Sequence, residues 1–313
     1  MARSNPEARN FLKGIAFLSP WLIGFLVFML LPIGLSLYYS LCDYSILKPP
    51  VWCGVDNYRL LFHDSLFWQV MRNTFYYAGL SLPLGLVATL GAALLLNRRV
   101  PGQSIFRTII FLPSLVPFVA SALVWMWIYN QKLGLLNAVI RIFYVPLNAL
   151  LRLLHLHQHS PIQPPWIVDA NWIIPALVLM SIWGMGNQVV IYLAGLQDVP
   201  RELYEAADLD GANAFHRMWH VTLPMISPVI FFNLVTTMIW VLQVYDVPFI
   251  MSAGTGGPNH ASYLMTMYLY DNGFFYLKMG YASAIAWIQL MIILAMTGLA
   301  FWTSRNWVHY QGK

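Results

Sequence analysis

His155, His157 and His159 alternate along the chain, a spacing that would let three imidazoles share a transition metal from one side of an extended strand. Asp169 is the nearest acidic ligand, and Pro161, Pro164 and Pro165 make the stretch an irregular loop, so the expectation is a polar loop without a physiological metal. Cys42 and Cys53 lie eleven positions apart in one loop, where a disulfide and two free thiols both fit the spacing. No His-Glu-x-x-His pair, nucleotide-binding Gly-Lys loop or Gly-x-Ser-x-Gly elbow occurs, and the chain therefore shows no ATPase or hydrolase chemistry. What remains is polar chemistry inside apolar runs. Asp246 is the single Asp, Glu, Lys or Arg across six long apolar stretches, and a charge at such depth faces protein or water, unless it reaches the membrane interface. Gln243 sits one helical turn before it on the same face, with Trp240 and Tyr245 nearby. Asn187 follows Gly184 and Gly186 in another run. A buried amide needs hydrogen-bonding partners, and hydroxyl groups can supply them.

The elements that must hold these residues follow from composition. Of 313 residues, 59% are hydrophobic and 9% charged, with a mean hydropathy of +0.62, which indicates an integral membrane protein. Six runs are long enough to span a bilayer: 15–39, 74–96, 108–129, 172–196, 222–250 and 282–302. The first is too long for a signal-peptide core and should remain as an anchor. The ends, 97–107 and 197–221 carry ten Lys and Arg in 61 residues, against seven in 107 for the other three loops. That density places both termini and 197–221 in the cytoplasm. The net charge of +5 is modest, and no basic run with interleaved aromatics suggests nucleic acid.

The apolar stretch 133–154 mimics a seventh span, but Arg141, Pro146 and Arg152 argue against it. Leu136, Val139, Ile140, Phe143, Leu147, Leu150, Leu151 and Leu154 recur at helical spacing, as in a helix lying on the outer surface. Pro20, Gly24, Pro32 and Gly34 interrupt the first span, and Pro224 and Pro228 begin the fifth, so these helices are expected to be covered by neighbouring protein. Gly79, Gly85 and Gly91 give the second span a small surface for close helix contact.

Between the fourth and fifth spans lies Val199-Pro-Arg-Glu-Leu-Tyr-Glu-Ala-Ala-Asp-Leu-Asp-Gly-Ala, closing on Thr222-Leu-Pro224. Pro200 suits the first turn of a helix, Asp198 and Glu202 place negative charge near its positive end, and Gly211 stops it. Leu203, Ala206 and Ala207 share one face of that helix, open to close approach by another surface. Asn213 can cap a second short helix whose apolar residues are Phe215, Met218 and Trp219. Glu205-Ala-Ala, Asp210-Gly211 and Leu223-Pro224 together resemble the signature loop of permeases in binding-protein-dependent ABC importers, and the variant is similar to the carbohydrate branch. The resemblance runs from about Asn73 to Trp302. Thr255-Gly-Gly-Pro258 and Gly280-Tyr-Ala-Ser-Ala resemble the larger, maltose-transporter-like permease subunit.

The resemblance implies an all-α polytopic protein with the six-helix fold of type I ABC importers, in a bacterial inner membrane. Residues 1–72 would carry the N-terminus, first span and first outer loop, 73–302 the transmembrane domain with its coupling loop 197–221, and 303–313 a cytoplasmic tail. It implies that Glu205, Ala206, Ala207, Asp210 and Gly211 couple the chain to an ATPase dimer, which holds the ATP and magnesium, this chain carrying no cofactor. A second permease and an external sugar-binding protein would complete the assembly. Gly184, Asn187, Trp240, Gln243, Tyr245 and Asp246 are then candidates for a sugar pathway. Another small solute such as a glycerol phosphate, a proton-coupled secondary transporter using Asp246, and a membrane-embedded enzyme are the competing readings.

Overall fold

A computed structural model describes residues 6–98, 101–153 and 163–309. His155, His157 and His159 lie outside them. By internal contacts the chain forms two units, one holding residues up to Ser65 with Leu269–Gln289, the other Leu66–Tyr268 with Leu290 onward.

In the first unit, α1 (Pro6–Phe25), a π-helical turn (Leu26–Leu30) and α2 (Leu31–Ser40) make one continuous apolar span, Lys13–Ser40. The widened turn has a local cause. Pro32 has no N–H and its ring crowds the carbonyl four residues back, at Phe28, so the turn before it loosens and Leu31 N–H donates to Leu26 instead. Within this chain none of its apolar window is buried, so the neighbouring protein expected to cover it is not another part of the described chain. An antiparallel hairpin follows that the apolar pattern did not announce, β1 (Cys42–Ser45) and β2 (Lys48–Trp52), with Cys42 opposite Trp52. α3 (Asp56–His63) closes back on it, and Asn57 Nδ2 donates to the carbonyls of Ser40 (2.9 Å) and Cys42 (2.8 Å). Gly280 packs against that Cys42 carbonyl so closely that no side chain fits. Both cysteines are free. Cys53 is half-buried with its Sγ 3.5 Å from the Leu41 carbonyl oxygen, and burial pushes its thiol pKa up.

The second unit is built on α4 (Ser65–Leu96), which starts well before residue 74. α5 (Gln103–Phe111) and α6 (Phe118–Ile128) lie where the third span was expected, bent by 103° as in a broken span or a re-entrant loop. The bend falls before Pro117, where Val116 is extended as residues preceding proline prefer. α7 (Leu135–Leu153) is a helix as the apolar spacing predicts, and Pro146 lies inside it without breaking it. α8 (Ile173–Trp183) and α9 (Gly186–Gln197) make the fourth span, with a 49° bend. α10 (Arg201–Leu209), α11 (Ala214–Arg217) and α12 (Leu223–Met225) lead to α13 (Ser227–Leu242), α14 (Asp246–Met251), α15 (Met265–Tyr270) and α16 (Met279–Ser304). Four continuous helices and two bent pairs thus give up to six spans among the described residues, and α7 adds none.

The core of this unit gathers Tyr77, Trp125, Tyr129, Trp166, Leu177 and Met238. A run of ring contacts links Trp183, Trp125, Tyr129, Trp166 and Trp172, with centroids 5.0–5.9 Å apart. Trp166 Nε1 donates to Asn137 Oδ1 (2.9 Å) and so fastens α7 to this run. Leu136 and Ile140 pack on the core, whereas Val139 and Phe143 are exposed. Helical spacing correctly gave α7, but among these four residues the core covers only part of their shared apolar face.

Candidate functional site

Two of the spans are interrupted where the polar candidates lie. α8 ends at Trp183 because Gly184 and Met185 leave the helical ladder, their N–H groups donating to Ser181 and Ile182 as in tight turns. Asn187 falls in the first turn of α9, exposed, with no side-chain hydrogen bond among the described residues. On the fifth span α13 stops at Leu242, and Gln243 donates its N–H to the Trp240 carbonyl three residues back. Val244 and Tyr245 are non-helical, and α14 restarts at Asp246.

This break corrects the expectation that Gln243 and Asp246 share one helical face. The cause is Pro248, which cannot donate to the Val244 carbonyl and sterically opposes a continuous turn there. Gln243 and Asp246 are both exposed and make no side-chain hydrogen bond or ion pair among the described residues, while Trp240 is 69% exposed. Tyr245 stacks on Phe249 with ring centroids 5.1 Å apart. The structure therefore presents a carboxylate and two amides beside helix breaks, with aromatic surfaces near them. No described hydrogen bond joins Asn187 to Gln243 or Asp246, and the two groups stand on separate helices.

Three polar residues in the bundle went unnoticed in the sequence. Gln188, Tyr192 and Asn233 line a water-sized gap of about 10 Å³ together with Thr89 and Thr237. Asn233 Nδ2 is buried there beside the Tyr192 side chain, with no well-formed hydrogen bond among the described residues. The signal was available, since Asn233 is an amide within an apolar run just as Asn187 is.

Beyond α14 the chain enters a tight loop. Ala253, Gly254, Gly256, Gly257, Asn259 and His260 all have positive φ, between 51° and 76°. Side chains from α4 hold it: Asn73 Nδ2 donates to the carbonyls of His260 (2.7 Å) and Tyr263 (3.2 Å), Gln69 donates to Asn259, and Thr74 Oγ1 accepts from Met265 N–H (3.0 Å). A Cβ at Gly256 would meet Tyr263 at 2.7 Å and one at Gly257 would meet Ile173 at 2.6 Å, so these glycines are required by space as well as by conformation.

The loop 197–221 is organised by its termini. Pro200 precedes α10 in an extended conformation, and Glu202 lies in the first turn. At the other end Gly211 has φ +75°, its N–H donates to the Asp208 carbonyl (3.1 Å), and Ala212 N–H donates to Ala207 (2.9 Å). This is the six-to-one and five-to-two pairing of a Schellman terminus. Asn213 then caps α11, its Oδ1 accepting from His216 N–H (2.9 Å). Arg217 pairs with Asp208, tying the two short helices together across the turn.

Tyr204 hydroxyl bonds Thr222 Oγ1 (3.1 Å), and its ring packs against the buried cluster that includes Leu196, Val199 and Ile226, which seats α10 on the bundle. Glu205, Ala206 and Asp210 are exposed, and Ala207 is half-buried. The shared face expected of Leu203, Ala206 and Ala207 is thus split, with Tyr204 and Ala207 turned inward. Leu209 and Phe215 are 90% and 63% exposed, an apolar edge that this chain leaves open.

Residues 81–309 match the family described as "Binding-protein-dependent transport system inner membrane component". The chain is 38% identical to the probable ABC transporter permease protein YesP of Bacillus subtilis, over 100% of this chain and 97% of that one. It is 30% identical to the sulfoquinovosyl glycerol transport system permease protein SmoG of Agrobacterium fabrum, over 92% and 89% of the two chains. A chain of the bacterial alginate ABC transporter, solved in complex with an alginate pentasaccharide-bound periplasmic protein, superposes with a TM-score of 0.73 over 96% of each chain, at 23% identity. That likeness is one of fold, the helical transmembrane fold of type I ABC importers.

Proposed function

The chain belongs to the family of binding-protein-dependent transport system inner membrane components, and from that premise we propose that it moves a sugar across the cytoplasmic membrane by alternating access. It is a transport subunit and not an enzyme. The observation that carries the mechanism is the seated α10, closed at its C-terminus by the Gly211 turn, whose outer surface stays open with Glu205 and Leu209 upon it. Such an element can pass a rigid displacement from an ATPase dimer, where ATP and magnesium are held, into the bundle through Tyr204 and Thr222. ATP binding closes the dimer and opens the pathway outward, and hydrolysis reverses it. The permease contributes differential contacts with the solute in the two states.

The solute class is a disaccharide, oligosaccharide or glycosylated polyol. Support comes from the carbohydrate solutes in the relatives' names and from the exposed amides of Asn187 and Gln243 beside Trp240, Tyr245 and Asp246 at the breaks, with Gly184 as the bend. Amides match hydroxyls in both donor and acceptor capacity, and aromatic faces cover the apolar side of a sugar ring. A second permease would cover the surfaces this chain leaves open, and an external sugar-binding protein would deliver the solute. Both termini and 197–221 are cytoplasmic in this reading.

Reconstitution of the assembled transporter tests it. Sugar accumulation should require ATP on the side of 197–221 and the external binding protein on the other. Uptake that continues in ATP-depleted vesicles under a proton gradient would replace this reading with secondary transport through Asp246.

A further inference from the structure

Between α5 and α9 lies a cleft of about 290 Å³, walled by Ile110, Phe111, Val189 and Leu193, with Arg107 and Gln197 as its polar groups. One residue sets how closely its walls approach. At Gly186 the two helices touch, since a Cβ there would lie 2.9 Å from the Ile110 carbonyl oxygen and 3.0 Å from Phe111 Cα. From that contact α9 runs eleven residues to Gln197, about 16 Å at 1.5 Å per residue. That is close to half of the roughly 30 Å hydrocarbon core, the depth of one leaflet.

Arg107 is unusual within this wall. Its Nε is buried without a hydrogen-bond partner, and the guanidinium makes no ion pair among the described residues. The residue as a whole is half-buried, so the cost falls on that one enclosed donor, and an anion within reach of the guanidinium removes it. The walls are hydrocarbon, so a hydroxyl-rich solute would lose its hydrogen bonds by entering. An amphiphile with one negative group and a long chain matches both features.

We propose that this cleft is a binding site for an anionic phospholipid, with an acyl chain lying along Phe111 and the exposed Val190, and its phosphate accepting hydrogen bonds from Arg107. Guanidinium and phosphate match in geometry as well as charge. Gln197 can donate to a second phosphate or glycerol oxygen. The sequence adds Arg98 and Arg99 to the segment that precedes α5, the composition that draws anionic headgroups. Placement in the cytoplasmic leaflet rests on the orientation proposed above, whereas binding itself does not.

Native mass spectrometry of the assembled transporter tests the site, after delipidation and add-back of phosphatidylglycerol or phosphatidylcholine of equal chain length. The wild type should bind phosphatidylglycerol tighter by on the order of tenfold. Arg107→Gln should bring the two lipids within about twofold of each other, and Arg107→Lys should keep part of the preference. Val190→Trp should lower both affinities by filling the cleft, and Val190→Phe offers a gentler filling should that variant fail to assemble. Equal affinity for both lipids in the wild type, or undiminished selectivity in Arg107→Gln, would overturn the proposal. So would displacement of phosphatidylglycerol by the transported sugar, which would assign the cleft to the solute pathway. Impermeant labelling of a cysteine at position 98 reads the orientation separately.

Discussion

Gly211→Val perturbs the loop without creating a clash, which makes its effect calculable. The residue sits at φ +75°, and nothing lies within 4 Å of the position a Cβ would take, so the whole penalty is backbone conformation. An L-residue in this region costs about 1–2 kcal/mol, and a β-branched one stands at the upper end. The chain can escape by refolding the turn, at the loss of the Ala212-to-Ala207 and Gly211-to-Asp208 hydrogen bonds and with Asn213 carried away from its cap. Shifting that balance by 1–2 kcal/mol changes the native-to-refolded ratio by about 5-fold to 30-fold. Asparagine tolerates the left-handed region, so Gly211→Asn should be nearly silent. In reconstituted transporter, Gly211→Val should reduce ATPase association or the sugar moved per ATP consumed, while membrane insertion and binding-protein affinity stay normal. Normal association and a normal ratio in Gly211→Val would refute the reasoning, and an equal defect in Gly211→Asn would place the cause elsewhere than φ.

Asn187→Ala and Gln243→Ala should each weaken sugar-stimulated transport by about 2-fold to 13-fold, from 0.5–1.5 kcal/mol per lost hydrogen bond, and unchanged transport parameters would remove both from the pathway. Cysteines introduced at Arg98 and Gly211 should resist an impermeant reagent in intact cells, whereas positions 157 and 255 should react; labelling at 211 would reverse the orientation. Cys53 should be alkylated slowly at neutral pH and faster as pH rises, because burial lifts its pKa and lowers its thiolate fraction. Rapid alkylation at pH 7, or a mass change that appears only after reduction, would contradict the free, half-buried thiol.

The apolar runs made the spans legible because a bilayer demands about twenty apolar residues wherever a helix crosses it. The turn chemistry of 197–221 was equally readable: Pro200, Gly211 and Asn213 each act through their own backbone or side chain, with no distant partner. Interruptions inside spans were harder. Pro248 lay within an otherwise uniform run, and its effect at Val244–Tyr245 appears one turn upstream of the residue that causes it. The hairpin Cys42–Trp52 escaped for a different reason. Its position depends on Asn57 reaching two carbonyls from the following helix, and β2 contains Pro49 and Pro50, which sequence rules read as a loop. The partial cover of α7's apolar face was invisible because periodicity counts apolar residues without saying which of them meet protein.

The loop after α14 bears on how this chain can vary. Six of the eight residues at 253–260 occupy a region of backbone space where only glycine, and to a lesser degree asparagine or aspartate, rests without penalty. Two of those glycines face Tyr263 and Ile173 at distances that admit no side chain, and Asn73 holds the exit through main-chain carbonyls. A saturation scan should therefore record this window as a narrow trench of intolerance set among more permissive loop positions. Substitutions at Thr255, whose carbonyl and hydroxyl serve only local turns, should fall on its shallower side. Drift in solute preference would then accumulate on the helices that flank the loop, since the loop itself can seldom accept a change and keep its course.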